Sequence, residues 1–451
     1  MSELLSDGFV KQLEGIFGSK NVSTDNTTRK TLSSDYSWFS PLLKQHVRQA
    51  AADVVVWAHT PEQLKQVVEL ASENHVPLVA RGGGTGNYAQ CVPLKGGIVV
   101  DITRMRRIVE LDDGHAAVEP GTRLGELKAA AEKRGMTLRI YPSTYLVSTV
   151  AGFIEGGSGG VGSVEYGRLW DGNVDGVKLV GPNLSETQIQ GRGLDGVIHS
   201  AGTTGIITEV SLPLAPKKEL AGIVIGFRAL REALSFALKL VNNPHIHKRV
   251  LSLYEPAVAR YFEGSVKDRV LRGKMDVFQG FEDSYVLIAI LEASAQGEVS
   301  RMLSGGGAVS VEWLGGDEAE MLSDYTFNHT TLWATKQENV TWQHIFFDPQ
   351  SVAEQTFMIK EKYGDRILMH YEFIRKGAKI LPAGLPIVFY QEPLELLEML
   401  AYMKSQGIVV ENIHSYHLED RLDVEKIEAI RKLKRLSDPK NILNPGKLKN
   451  Y

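Results

Sequence analysis

The residues of this 451-residue chain that could do chemistry are of two kinds. The first is glycine. In Arg81-Gly82-Gly83-Gly84-Thr85-Gly86-Asn87 the missing side chains let consecutive backbone N–H groups turn to one side, forming a concave anion site that Cβ atoms would block. Its natural guest is a pyrophosphate. GFIEGGSGGVG over residues 152–162 and the turn Ala201-Gly202-Thr203-Thr204-Gly205-Ile206 repeat the pattern. The second kind is titratable. If residues 328–336 are helical, His329, Trp333 and Lys336 fall on one stripe and offer a base, a wall and a carboxylate anchor. His370 and Glu372 share a face of a strand expected over 366–373, as do Asn412, His414 and Tyr416 on one expected over 408–416. A histidine on a sheet face serves equally as a hydrogen-bonded structural residue, and Trp333, Tyr254 and Tyr371 suit core packing as well as a pocket wall.

The glycines exclude some chemistry at once. No lysine follows either cluster in the GxxxxGK[ST] spacing, so nucleoside triphosphate hydrolysis has no support. Gly157, Gly159 and Gly162 satisfy GxGxxG, but a Rossmann fingerprint joins the first strand to the first helix, and this one lies past residue 150. With 50 basic against 54 acidic side chains there is no nucleic-acid footprint. A single cysteine, Cys91, forms no internal disulfide and fits a reducing compartment. The first residues lack a signal-peptide pattern and no run approaches the roughly 18 apolar residues of a membrane span, so the expected location is cytoplasmic.

These residues need a scaffold. Residues 54–57 read as a buried strand, and Thr60-Pro61-Glu62-Gln63 as an N-cap, first-turn proline and capping-box glutamine. The helix they open carries the stripe Leu64, Val67, Val68, Ala71. A strand over 78–80 then delivers the chain to the first glycine loop, making a βαβ unit with the loop at a strand's carboxyl end. Residues 1–50 predict one short helix (9–17) and an extended lead-in. Further on, 116–118 predicts a strand, 122–135 a helix capped by Thr122 and stopped at Gly135, and 177–180 and 206–210 strands. Pro213 and Pro216 mark a boundary. Beyond it, strands over 223–227 and 286–291 alternate with a helix from 230 that ends at Asn243-Pro244 and one over 393–404; Gly305-Gly306-Gly307 reads as a turn, and a capped helix over 424–436 precedes the tail.

The ordered motifs RGGGTGN, YPST, VAGFIEGGSGGVGS, VEYGRLWDGNVDGVKLV, AGTTGIITEVSLPLAP and DPKNILNPGKL resemble the FAD-binding oxidoreductases of the vanillyl-alcohol oxidase and p-cresol methylhydroxylase (PCMH-type) fold. The resemblance covers residues 50–216 and the last 14. AGTTGII and the final motif are especially similar to FAD-linked oxidases that include D-lactate and glycolate dehydrogenases. It implies an α+β chain: a two-part PCMH-type FAD-binding domain (1–217), an α+β substrate or cap domain with an antiparallel sheet (218–415), and a C-terminal segment (416–451) returning to the FAD domain. Arg81, Gly82, Gly83, Gly84, Thr85, Gly86 and Asn87 would wrap the pyrophosphate. Pro142, Ser143, Thr144, Thr149 and Gly152 would follow the ribityl and phosphate groups. Gly157, Ser158, Gly159, Gly160 and Gly162 would lie against the flavin and adenosine halves. Gly202, Thr203, Gly205, Ile206 and Ile207 would present backbone groups, and Asn444 and Lys447 would close the site. Some relatives attach flavin through a histidine where this chain has Gly84-Thr85, so FAD is expected to be noncovalent; Cys91 near the loop is read as a small buried residue rather than a flavin attachment.

With FAD present the protein must place a C–H bond beside flavin N5 and take a nearby proton, and the candidates are His329, Lys336, His370, Glu372 and His414. Relatives acting on 2-hydroxy acids carry a metal site from HxGDGNxH and a later Glu-His pair. Here YEFIRKGAKILP follows His370 and Glu411 is not adjacent to His414, so no metal is expected. The expected function is oxidation of a C–OH group, a hydroxy acid first, with an alcohol or sugar oxidase, or a flavin-carrying subunit of a larger redox complex, as alternatives. The expected partners are a small-molecule substrate, an electron acceptor (oxygen, a quinone or a redox protein) and, for assembly, a second copy in a homodimer.

Overall fold

The computed structural model describes residues 5–261, 278, 280, 281 and 283–451. Three apolar tetrads make the first layer. Val54–Trp57, Leu78–Arg81 and Ile98–Asp101 pair in parallel with Ile98–Asp101 in the middle, and Val22–Ser23 adds an antiparallel edge. Val54, Val55 and Val56 are fully buried, the pattern of a parallel sheet covered on both faces. The crossover helix is Pro61–Glu73. Thr60 Oγ1 accepts from Gln63 N at 3.3 Å, a cap worth about 1 kcal/mol. Gln63 accepts from His59 N rather than from the N-cap's own N–H, one residue earlier than a capping box. Leu64, Val67, Val68 and Ala71 are all buried.

The second layer is a six-stranded antiparallel sheet built around Ile206–Pro216, which pairs with His115–Val118 and Gly176–Gly181, and with Met136–Leu138 at its far end. Pro213 and Pro216, expected as a boundary, continue the strand. Pro213 lies where it exchanges His115–Val118 for Met136–Leu138, a place where the ladder is interrupted anyway. Thr122 is not the cap of the next helix. That helix is Leu124–Glu132 with Arg123 at its N-cap, and the Thr122 carbonyl instead accepts from Val150 N. Gly135 does stop the segment, at φ +72°. The lead-in holds more helix than expected: Asp7–Phe17, Asn26–Leu32 and Pro41–Val47.

From Leu220 the chain enters a different sheet, eight antiparallel strands in the order Ala308–Gly315, Leu220–Phe227, Tyr285–Glu292, Lys248–Tyr254, His370–Lys376, Lys379–Gly384, His344–Phe346 and Val409–Glu411. Helices Leu230–Val241 and Pro393–Ser405 are amphipathic and bury one face. Residues 305–307 are the loop from Gln296–Leu303 into Ala308–Gly315. Among the described residues no helix is long and apolar enough to cross a membrane.

Two expected strands differ. Residues 366–373 divide into Ile367–Leu368, in a small sheet with Ile387–Phe389 and Val340–Trp342, and His370–Lys376 in the large one. The break is Met369, whose N–H donates to Glu255 Oε2 at 2.8 Å and whose carbonyl accepts from Glu255 N at 3.0 Å. The strand expected over 408–416 stops at Glu411, because Asn412 bends the chain and accepts from His414 N. Asn412, His414 and Tyr416 therefore share no strand face. From His414 the chain returns to the first half: His414 Nδ1 bonds Ser40 Oγ, and Ala429 and Leu433 of helix Val424–Ser437 lie against Gly196.

Candidate functional site

The first glycine loop leaves the carboxyl end of Leu78–Arg81 and meets the segment before helix Val150–Gly156. A Cβ on Gly82 would strike the Thr149 side chain, and one on Gly83 would strike the Val147 carbonyl. Thr149 Oγ1 caps that helix through Gly152 N. Thr85 Oγ1 is 2.8 Å from Ser148 Oγ, which is 2.7 Å from Thr144 Oγ1, so three hydroxyls join the two segments. In the second cluster a Cβ on Gly157 would sit 2.5 Å from the Phe153 ring, and one on Gly160 would strike the Tyr141 carbonyl. These glycines are required by backbone packing as much as by a guest.

Two connected cavities open between the clusters. One of about 550 Å³ is lined by Gly82–Gly86, Gln90, Cys91, Thr149, Glu155 and Ala201. The other, about 1190 Å³, shares Thr85, Gly86, Gly152 and Gly156 with it and runs on past Asn87, Tyr88, Pro142, Ser143, Thr144 and residues 157–160. Its far wall comes from the second half of the chain: Phe327, Asn328, Thr331, Leu332, Trp342, His344, Ile374 and Leu385. Tyr36 and Phe39 of the lead-in complete it.

On that wall stands a pair that sequence reasoning missed. His344 Nδ1 lies 2.6 Å from Glu411 Oε2. Burial pushes the Glu411 carboxyl up, but His344, its hydrogen bond and Arg168 outweigh it and hold the group below the usual range. An ionised carboxylate only accepts, so Nδ1 carries the proton that faces it, and in the neutral form of the ring Nε2 is the acceptor. Nε2 has no partner among the described residues. No alternation within one strand pointed to His344, since Trp342 ends a strand of the small sheet and His344 begins one of the large sheet. Its partner is 67 residues away.

His199 was missed too. Its backbone is left-handed (φ 61°), its Nδ1 donates to Gly157 O at 2.9 Å, and burial followed by Arg421 lowers its pKa to about 3, so the ring is neutral. Arg421 lies over the Tyr88 ring, 4.5 Å from its centroid, with Nε, Nη1 and Nη2 sealed from solvent and unpartnered. Burial lowers its pKa to about 10.

The sequence-derived candidates are distributed differently. His370 and Glu372 are fully buried beneath the far wall. His370 Nε2 is 2.8 Å from Glu372 Oε1 and its ring stacks on Tyr254, while Glu372 accepts from Ser252 Oγ and, at 2.6 Å, from Phe327 N. That last bond holds Phe327 left-handed (φ 54°), a strained conformation for an aromatic residue and one that faces the cavity. Glu372 thus shapes the wall without reaching it. His414 is also one layer back: Nδ1 bonds Ser40 Oγ, the ring packs on Phe39, and burial lowers its pKa to about 3. Helix Asn328–Ala334 forms as expected, but it ends before Lys336, which is exposed. The side chains of His329 and Trp333 lie outside the described residues.

Among the cofactor candidates, Arg81 turns away from the cavity and donates to the carbonyls of Leu32, Gly82 and Ser34. Asn444 and Lys447 stand behind the loop rather than closing the cleft. Asn444 Nδ2 donates to Gln90 O and Ala201 O, and Lys447 Nζ to Ala89 O and Val92 O. Burial lowers the Lys447 pKa to about 7, against the pull of Asp35. Gly162 (φ +93°) is packed on Arg139 O, Gly205 on Leu179, and Ile206 and Ile207 are buried in their strand. Gly202 and Thr203 are likewise off both cavity walls, where Ala201 and His199 take their place. The Cys91 thiol lines the smaller cavity, its pKa pushed up to about 12 by burial and Asp35, which keeps it protonated and unreactive. Among the described residues no three His, Cys, Asp or Glu side chains gather as a metal site.

Two family descriptions match: an FAD binding domain over residues 52–183 and the C-terminal domain of FAD linked oxidases over 413–448. The chain is 24% identical over 470 residues to the glycolate oxidase subunit GlcD of Bacillus subtilis, covering 97% of this chain and 96% of that one. It is 28% identical over 301 residues to an uncharacterized FAD-linked oxidoreductase of Mycobacterium tuberculosis, a match that takes in 61% of this chain and 63% of that relative's length. Among solved structures, p-cresol methylhydroxylase with substrate bound superimposes with a TM-score of 0.72 at 17% identity, over 98% of this chain and 97% of that one.

Proposed function

Because this chain belongs to the FAD-linked oxidases and has the PCMH-type fold, we propose that its cleft oxidises a C–OH group of a small substrate, with His344 as the proton acceptor. The observation that carries this is the His344–Glu411 pair, whose imidazole lines the same cavity as the glycine loops. Backbone N–H groups of residues 82–86 suit a pyrophosphate, the hydroxyls of Thr85, Ser143 and Thr144 suit a polyol chain, and the open backbone of residues 157–160 suits a flat ring. Bound FAD supplies the two-electron acceptor that takes hydride from the substrate carbon. His344 Nε2 accepts the hydroxyl proton as the carbonyl forms, and Glu411 stabilises the resulting imidazolium while fixing the ring. Phe327, Trp342 and Leu385 keep water from the reacting carbon. The electrons then pass to oxygen, a quinone or a redox protein.

The similarity to a glycolate oxidase subunit supports a hydroxy acid as substrate. A carboxylate needs a cation, and Arg421 behind Tyr88 has all three guanidinium nitrogens unpartnered among the described residues. A second reading rests on the cavity itself. The described lining of the whole larger cavity carries no Lys or Arg and six aromatic rings apart from histidine, which favours an uncharged alcohol with an apolar group. Anaerobic bleaching of the flavin spectrum decides between them. Hydroxy acids, alcohols and sugars are offered in turn, and the class that bleaches it is the substrate class. His344→Gln should slow bleaching by about 10²- to 10⁴-fold with FAD retained. An unchanged rate removes His344 from the reaction. No bleaching by any of the three classes points instead to a flavin-carrying subunit.

A further inference from the structure

Glu155 is the only carboxyl group among the described residues lining the smaller cavity, opposite Gly82–Gly86. It sits near the end of helix Val150–Gly156, where its backbone carbonyl accepts from Ala201 N at 2.9 Å. Its Oε1 is sealed from solvent and has no hydrogen-bond partner among the described residues. No cation attends it. From the loop side, the Arg81 guanidinium is spent on three carbonyls and Cys91 presents a neutral thiol. From the 199–204 segment, His199 is neutral and tied to Gly157 O, and a Cβ on Gly202 would lie 3.7 Å from Glu155 Oε2. Behind the loop, Lys447 is committed to Ala89 and Val92, and its charge is felt by Asp35. A negative charge here would face the guest of the nest, which is itself an anion.

We propose that Glu155 holds the FAD pyrophosphate as a neutral carboxylic acid, donating its proton to a phosphate oxygen, so that cofactor affinity depends on pH. The inference rests on the placement of the pyrophosphate at residues 82–86. Burial alone raises the Glu155 pKa to about 8, with no charged neighbour contributing. The acid is therefore mostly protonated at neutral pH and is lost as a donor above that value. Because the anion binds the protonated form, binding above pH 8 takes up a proton, and affinity falls with rising pH.

The test is a titration of deflavinated protein with FAD, followed by flavin fluorescence, between pH 6.5 and 9.5. The wild-type Kd should rise about tenfold per pH unit above about 8. Glu155→Gln, which keeps a donor that cannot ionise, should bind FAD with nearly constant affinity and outbind wild type at pH 9.5 by about 30-fold. Riboflavin, which lacks the pyrophosphate, should bind without this slope, and ADP, which has it, should show the slope. Calorimetry of the wild-type protein at pH 9 in two buffers of different ionisation enthalpy should record uptake of close to one proton per FAD. A wild-type Kd that is flat over the range, a slope surviving in Glu155→Gln, the same slope with riboflavin, or no proton uptake each overturns the assignment of Glu155. Loss of FAD binding at every pH overturns the placement of the pyrophosphate along with it.

Discussion

The two walls of the cleft are built on opposite principles. The wall from the first half is made of backbone: where a side chain could stand, the space is already filled by Thr149, Val147, Phe153 or the Tyr141 carbonyl. The wall from the second half is made of side chains, with Trp342 and His344 on short strands and Phe327 and Leu385 in the connections beside other elements. One is defined by what it lacks and the other by what it carries. The first tolerates almost no substitution and can serve only one shape of guest. The second can be changed residue by residue.

That contrast can be broken most sharply at Gly83. Gly83→Val places a branched side chain against the Val147 carbonyl, so the two glycine segments must part. FAD content at purification should fall at least about 100-fold, a loss expected when a backbone contact cannot relax. Full flavin occupancy would mean that the loop is not packed as described. The effect differs from simple filling of the anion site, since the collision is with protein.

A smaller effect tests the buried histidines. His199 lines the cleft beside the second glycine cluster and His414 backs the opposite side, and both have pKa values lowered to about 3 by burial. Their folded pKa lies below the unfolded value of about 6.5, so the unfolded chain binds more protons in between. Stability is full above about pH 6.5 and falls as pH drops toward 3, by up to roughly 1.4 kcal/mol per pH unit for each ring. Urea unfolding of wild type and His414→Gln at pH 7 and pH 5 should show the variant losing less on acidification. Equal losses would indicate that His414 titrates normally. The smallest change is at Phe327. Phe327→Gly suits the left-handed backbone but deletes one ring from the side-chain wall, so KM should rise about three- to tenfold while the Kd for FAD stays constant. A change in FAD affinity instead would show that the walls are not independent.

The same contrast explains which parts were legible in the sequence. The glycine wall could be read because its signals are local: a strand, a capped helix and a strand that ends in Arg81-Gly82-Gly83-Gly84 lie within some thirty residues. Even there, roles shifted by one layer. Lys447, expected to close the cleft, is bonded to Ala89 and Val92 behind it, because its reach depends on where the tail docks. The side-chain wall could not be read. His370 and Glu372 do share a strand face as predicted, but that face looks into the core, and periodicity alone does not say which face is buried. His414 was placed on a strand that Asn412 ends.

The sequence by itself determined the cofactor: glycine spacing and the ordered motifs act through local backbone geometry, and a bare backbone suits few guests. Only the tertiary structure decided which titratable side chains line the larger cavity. His344 and Glu411 are 67 residues apart and are adjacent because Val409–Glu411 is the edge strand beside His344–Phe346, a long-range pairing that no local rule encodes. Likewise Glu155, a helix residue with no special spacing, became a group of interest once folding sealed its carboxyl beside Gly82–Gly86 without a countercharge. Residue type supplies the chemistry available, and burial with its partners decides which of it is used.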